Sequence, residues 1–87
     1  MSFRILFAKP AEKTFLGLDR DIQRRIARAI ESLGENPRPS GCVKLQGESD
    51  LYRIRAGDWR VVYTIQDQKL IVLVLKIGHR REIYRDL

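Results

Sequence analysis

The chain alternates early. Phe3, Ile5 and Phe7 interleave with Ser2, Arg4 and Leu6, a period of two that predicts a first strand. Pro10 suits the first turn of a helix, where its missing N–H is no loss, and a short helix is expected to reach about Leu18 with Phe15 and Leu18 inward. Asp19 is a plausible N-cap for a second helix. Ile22, Ile26, Ala29, Ile30 and Leu33 then fall on one apolar stripe, with Arg24, Arg25, Arg28 and Glu31 off it. Gly34 is read as a left-handed stop and Pro37 as a block to resumption. The segment 36–41, NPRPSG, is a loop by composition.

Three strand-like runs follow. Residues 43–46 with 51–55 make the first, broken at 47–50. Residues 59–66 make the second, entered through Gly57-Asp58, and residues 69–78 the third, entered through Asp67-Gln68. Turns this short predict antiparallel neighbours. The run 70–75, apolar on both faces, is expected to be the most buried strand. The order β-α-α-β-β-β predicts an α+β fold, a small antiparallel sheet with an N-terminal helical hairpin on one face. Eighty-seven residues allow one domain, spanning 1–87.

Charge changes the picture most in the last third. The chain carries a formal net charge of +6, and residues 53–87 hold eight basic and four acidic side chains. Such an excess attracts nucleic acid or an acidic protein segment. The single cysteine, Cys42, excludes an internal disulfide, and no cysteine–histidine cluster suggests a metal. No stretch approaches the ~20 apolar residues of a membrane span, and no secretory leader is evident, so a cytoplasmic protein is expected.

The basic residues are patterned. Arg53 and Arg55 lie two apart on one strand and share a face. Arg60 opens the next strand, and His79, Arg80 and Arg81 follow the apolar one, with Tyr84 beyond. Hairpin geometry is expected to gather Arg53, Arg55, Arg60, His79, Arg80 and Tyr84 into one patch, with Lys44 and Arg81 as further phosphate contacts. Arginine forks hold the nonbridging oxygens of a phosphodiester and stabilise the added charge of a pentacoordinate transition state. His79 or Tyr84 would move protons, and on RNA the adjacent 2′-hydroxyl serves as nucleophile, so neither metal nor cofactor is required. For any one of these arginines a surface ion pair with Asp58, Asp67, Glu82 or Asp86 is the simpler account; the set outnumbers the acids.

With KLQG at 44–47, YRIRAGDWRVVYTI at 52–65 and IGHRREIYR at 77–85, the chain resembles the RelE/ParE toxin superfamily over nearly its whole length. It looks closer to the mRNA-cleaving RelE branch than to the gyrase-poisoning ParE branch. The resemblance implies a cofactor-free endoribonuclease that enters the ribosomal A site of the 30S/70S particle. It also implies products with 2′,3′-cyclic phosphate and 5′-hydroxyl ends, and an antitoxin encoded by a neighbouring gene. Promoter DNA would be bound only through the antitoxin complex. The family's two basic strand positions match Arg53 and Arg55, its transition-state arginine Arg60, its second arginine Arg80 and its C-terminal tyrosine Tyr84. Two lysines of the best-known member are arginines here, and a guanidinium does not readily lose a proton. Base duty is therefore expected at His79. The competing readings are a gyrase-directed inhibitor without nuclease chemistry and an inactive RNA-binding domain on the same fold.

Overall fold

The structure, a computed structural model, describes residues 2–45 and 50–80. In chain order it contains strand β1 (Arg4–Phe7), helices α1 (Lys9–Leu16) and α2 (Arg20–Glu35), and strands β2 (Val43–Lys44), β3 (Leu51–Ala56), β4 (Trp59–Gln66) and β5 (Ile71–His79). The five strands form one sheet in the order β1-β5-β4-β3-β2.

The helices form where the apolar stripe demands them. Ala8 caps α1, with Pro10 in its first turn, and the chain turns through Gly17 and Leu18 directly into α2. Ile26, Ile30 and Leu33 are buried on α2, Ile22 and Ala29 pack beside them, and Arg24, Arg25, Arg28 and Glu31 face solvent. This stripe meets Ile54, Ala56, Val61, Tyr63, Ile65, Val72, Val74 and Ile77 of the sheet, together with Ala11 of α1. Burial of these apolar side chains is the main force holding the layers together. The helices thus cover one face of the sheet and leave the other uncovered by either helix.

Four expectations need correction. Gly34 does not stop α2: the helix continues to Glu35, and the Asn36 N–H bonds the Ser32 carbonyl at 3.1 Å. The glycine instead permits close approach. A Cβ there would stand 3.2 Å from the Phe3 carbonyl oxygen, and the Phe3 N–H donates to the Gly34 carbonyl at 2.7 Å. Next, the run 43–55 is not one interrupted strand. It folds back on itself, with Val43 opposite Arg53 and Lys44 opposite Tyr52 in antiparallel pairing. The sheet is also not wholly antiparallel, because β1 pairs with β5 in parallel, Arg4 opposite Ile71 through Phe7 opposite Val74. Finally, the central and most buried strand is β4, where Val61, Val62 and Tyr63 have no exposed surface. Ile71, Leu73 and Leu75 are only half-buried. Apolar residues on both faces of β5 show a strand flanked on both sides, which does not make it the middle one.

The β3–β4 connection has two residues, Gly57 and Asp58, closed by the pair Ala56 and Trp59. Gly57 has φ +63° and Asp58 lies outside the positive-φ region, the pattern of a type II′ hairpin turn, which favours glycine first. This turn forms one end of the basic face described next.

Candidate functional site

The register sorts the sheet's side chains onto two faces. Directly opposed residues share a face, and neighbours along a strand alternate. Val61 and Tyr63 belong to the helix-covered core, so Arg60, Val62 and Thr64 belong to the other face. Four transverse rows result. Arg55, Arg60 and Gly78 form the one nearest the β3–β4 turn. Val43, Arg53, Val62 and Lys76 form the second. Leu51, Thr64, Leu73 and Leu6 form the third, and Gln66, Ile71 and Arg4 the fourth. The uncovered face thus has its arginine group toward the β3–β4 turn, a largely apolar row beyond it, and Arg4 and Gln66 at the far end.

The arginines converge on the turn. Arg55 Nε and an Arg60 terminal nitrogen each donate to the Gly57 carbonyl at 3.2 Å, and Arg60 also donates to the Trp59 carbonyl at 3.2 Å. Arg80 continues the ladder one step past β5, its N–H bonding the Asp58 carbonyl at 2.7 Å. Its guanidinium stands 3.9 Å from the Asp58 carboxylate, both groups exposed. Burial, then the charges of Arg55, Arg53 and Arg80, press the Arg60 guanidinium below its usual pKa, with Asp58 opposing. Arg60 is therefore the centre of a group of like charges that an anion would relieve.

His79 is not part of this convergence. It pairs with Trp59 and follows the parity of Ile77, a core residue, so it stands on the helix side of the sheet. Its ring meets the Trp59 ring edge-on at 5.7 Å between centroids. The cause is a bulge. Val62 opposes Lys76 but Tyr63 opposes Val74, which leaves Leu75 as an extra residue in β5. Counting by twos from Val72 and Val74 sends His79 to the basic face; the extra residue sends it to the other. Lys44 is also separated, because its partner Tyr52 lies on the helix side, stacked on Tyr63 at 5.9 Å. The expected site residues Arg81 and Tyr84 lie outside the described residues.

Two residues join the site that sequence reasoning passed over. Lys76 reaches the basic face through the same bulge that removes His79. Arg25, assigned to a solvated helix face, lays its guanidinium against the Gly57 turn, 3.0 Å from where a Cβ on that glycine would stand. Only tertiary packing could reveal Arg25; Lys76 would have followed from strand alternation had the bulge been known.

A second cluster holds the loop after α2. Tyr63 donates its buried hydroxyl to the Pro37 carbonyl at 2.7 Å. Burial, with Cys42 nearby, raises the pKa of that phenol. Arg38 makes a two-pronged bond to Asp67 at 3.1 and 2.9 Å and lies over the Tyr52 ring, 5.4 Å from its centroid. The ion pair raises Arg38 and holds the Asp67 carboxyl below its ordinary range. These groups clamp residues 37–38 to β3, β4 and the β4–β5 turn.

Among the described residues no three histidine, cysteine or carboxylate side chains gather as a metal site, and no helix is long and apolar enough to cross a membrane.

Comparison with known proteins agrees with this architecture. Residues 5–84 match the family model of the ParE toxin of type II toxin–antitoxin systems. A RelE-like toxin protein of Escherichia coli is 36% identical over 83 residues, covering 92% of this chain and 85% of that protein. The mRNA interferase toxin RelE of Escherichia coli K12 is 29% identical over 90 residues, covering 99% and 94%. Among solved structures, the archaeal RelE–RelB complex of Pyrococcus horikoshii contains a chain with TM-score 0.81 and 30% identity, covering 94% of this chain and 99% of that one. Fold, length and sequence together place this protein in the RelE/ParE superfamily of type II toxin–antitoxin toxins, as a RelE-like member.

Proposed function

We propose that this toxin is a ribosome-dependent endoribonuclease that cuts mRNA in the A site and so halts translation. The observation that carries the reading is the group of Arg53, Arg55, Arg60 and Arg80 at one end of the sheet face the helices leave uncovered. The likeness to a toxin described as an mRNA interferase supports it. In the proposed reaction the 2′-oxygen attacks the adjacent phosphorus. The O2′–P bond forms, the P–O5′ bond breaks, the 2′-hydroxyl proton leaves and O5′ gains one. Products are a 2′,3′-cyclic phosphate and a 5′-hydroxyl end. The arginine forks hold the nonbridging oxygens and stabilise the extra negative charge at the transition state. No metal is required by this scheme.

His79 enters the reading differently from its sequence-based role as base. Its ring stands behind the arginine row against Trp59, so it supports the rim of the site by packing. The partner proposed is an antitoxin, as in the RelE–RelB complexes of relatives, with acidic residues suited to the basic face.

The test is induction in a tightly controlled host with mapping of mRNA 5′ ends, Arg60→Ala alongside. New 5′-hydroxyl ends inside translated codons, absent in the variant, are expected. Growth arrest with intact mRNA and damaged DNA would overturn the nuclease reading in favour of a gyrase-directed inhibitor. Unaffected growth would leave an inactive RNA-binding domain.

A further inference from the structure

A groove lies along the edge of β3. Ala29 and Ser32 of α2, Pro39, Ser40 and Gly41 of the following loop, and Ile54, Arg55 and Gly57 line it, and its volume is about 620 Å³. That is within the range of small-molecule sites, roughly 300–1,000 Å³. It exists because β2 is short. The β2–β3 ladder ends where Val43 opposes Arg53, and the chain before it, 39–41, lines the groove instead of pairing with β3. The Leu45 N–H donates to the Leu51 carbonyl, so by alternation Leu51, Arg53 and Arg55 turn their peptide groups away from β4. The N–H and C=O of Arg55 therefore face the groove, one step past the last β2 pair. Ile54, buried, and Ala29, half-buried, give it an apolar floor.

Two features select the occupant. At one end the β2–β3 ladder closes the groove, so a polypeptide strand cannot run through it. At the other, by Gly57, stand cations. Arg25 lies one helical turn before Ala29 on the same face of α2, with a guanidinium nitrogen 3.0 Å from where a Cβ on Gly57 would stand. Arg55 donates its Nε to the Gly57 carbonyl. A flat group with a polar edge, carried on an anion, fits both ends. We propose that this groove takes an unpaired base of the RNA being cut, and that its lining sets codon preference. The proposal rests on the endoribonuclease reading and adds a base-reading subsite around the sheet edge from the arginine group. Arg55 joins the two, its side chain on the basic face and its peptide at the groove. A neighbouring N–H and C=O discriminate bases by the order of donors and acceptors on the base edge, because a mismatched base leaves a polar group unpaired. Ser40 adds a hydroxyl that donates or accepts.

The experiment is NMR titration of the full chain with AMP, GMP, CMP and UMP, with ribose 5-phosphate, which lacks a base, and with a trinucleotide carrying 2′-deoxyribose at its centre, which cannot be cut. The Gly41 and Arg55 amides are expected to shift with the trinucleotide and with the nucleotides, unequally among the four bases, and to stay in place with ribose 5-phosphate. Ser32→Leu fills the groove from an exposed position of α2 and is expected to weaken base-dependent binding about tenfold with a native-like spectrum. Ser40→Leu fills it from the loop and is expected to do the same should the helix variant disturb the fold. Gln68→Leu, on the distant β4–β5 turn, is expected to bind as wild type. Equal shifts with ribose 5-phosphate, equal shifts with all four nucleotides, or wild-type affinity in both filling variants would each overturn the base site. Mapping of mRNA 5′ ends is then expected to show Ser32→Leu redistributing its cuts among codons. An unchanged distribution would overturn the assignment to the message. Nucleotide shifts in the groove without cut ends from the wild type refute the nuclease and keep the base site. Cut ends without groove shifts refute the base site and keep the nuclease.

Discussion

Arg60 shows how one side chain is held ready by its neighbours. Two backbone carbonyls take its donors while Arg55, Arg53 and Arg80 crowd its charge. Its carbonyl bonds are neutral and replaceable, whereas a phosphate would answer both charge and fork geometry. Arg60→Ala is expected to lower single-turnover cleavage of ribosome-bound mRNA by about 10²–10³-fold, the range for loss of one transition-state donor. His79→Ala is expected to cost about tenfold or less, because its loss loosens Trp59 without removing a phosphate contact. An equal loss in both variants would restore His79 to the chemistry. At the opposite end of the molecule Asp67 makes a pH prediction. Its folded pKa is depressed by Arg38, so the clamp contributes stability above the ordinary carboxylate range, about pH 4. That contribution is lost as pH falls through the lower folded value. Thermal unfolding from pH 6 to pH 2 is expected to show wild type losing its margin over Asp67→Asn in the acid limb only.

At the scale of elements, the legible and illegible parts of the chain separate cleanly. The α2 stripe was legible because five apolar positions repeat at helical spacing, and the Arg53/Arg55 face because strands alternate. What escaped was anything set by a partner element. Gly34 looks like a stop in isolation and becomes a contact surface once β1 lies against it. The parallel edge pairing of β1 leaves no local mark. The bulge at Leu75 is hidden because every residue from Leu70 to Leu75 is apolar, so no polar residue reports the change of phase. That single residue decides that Lys76 and Gly78 join the arginines and His79 does not. Its removal has a specific outcome. Deleting Leu75 brings Val74 and Lys76 together in the register they already hold opposite Tyr63 and Val62. The deletion variant is therefore expected to fold and keep its faces, with a lower melting temperature from altered local twist. Retained trinucleotide binding would bear this out, and a spectrum showing His79 and Gly78 exchanged would contradict it.

Over the whole molecule, charge and shape divide the labour. The helices and one sheet face make the core, while the positive excess is concentrated in residues 53–87, with eight basic against four acidic side chains. Such a surface repels itself, so added salt is expected to raise the melting temperature of the protein alone while weakening its hold on RNA. A log–log plot of affinity against salt should fall with a slope of about −0.7 per phosphate contacted on a single strand. A flat plot would mean that the arginines are not the contact surface. Arg25, lying against the Gly57 turn from α2, continues the positive surface around the edge of the sheet, and Arg25→Ala is expected to lower that slope without affecting the cleavage chemistry.

The parallel pairing of β1 with β5 has a consequence in time. β1 is made early and its sheet partner last among the described strands, with both helices and three strands translated in between. Until residues 71–79 leave the ribosome, β4 has no neighbour on one side, β1 has none at all, and the stripe of α2 has only part of its cover. Contacts this distant along the chain are slow to close and cannot form piecemeal. The arginine group depends on the same last strand, since Gly78 and Arg80 complete it. A nascent copy is therefore unable to assemble its arginine group before residues 71–80 have left the ribosome that is making it.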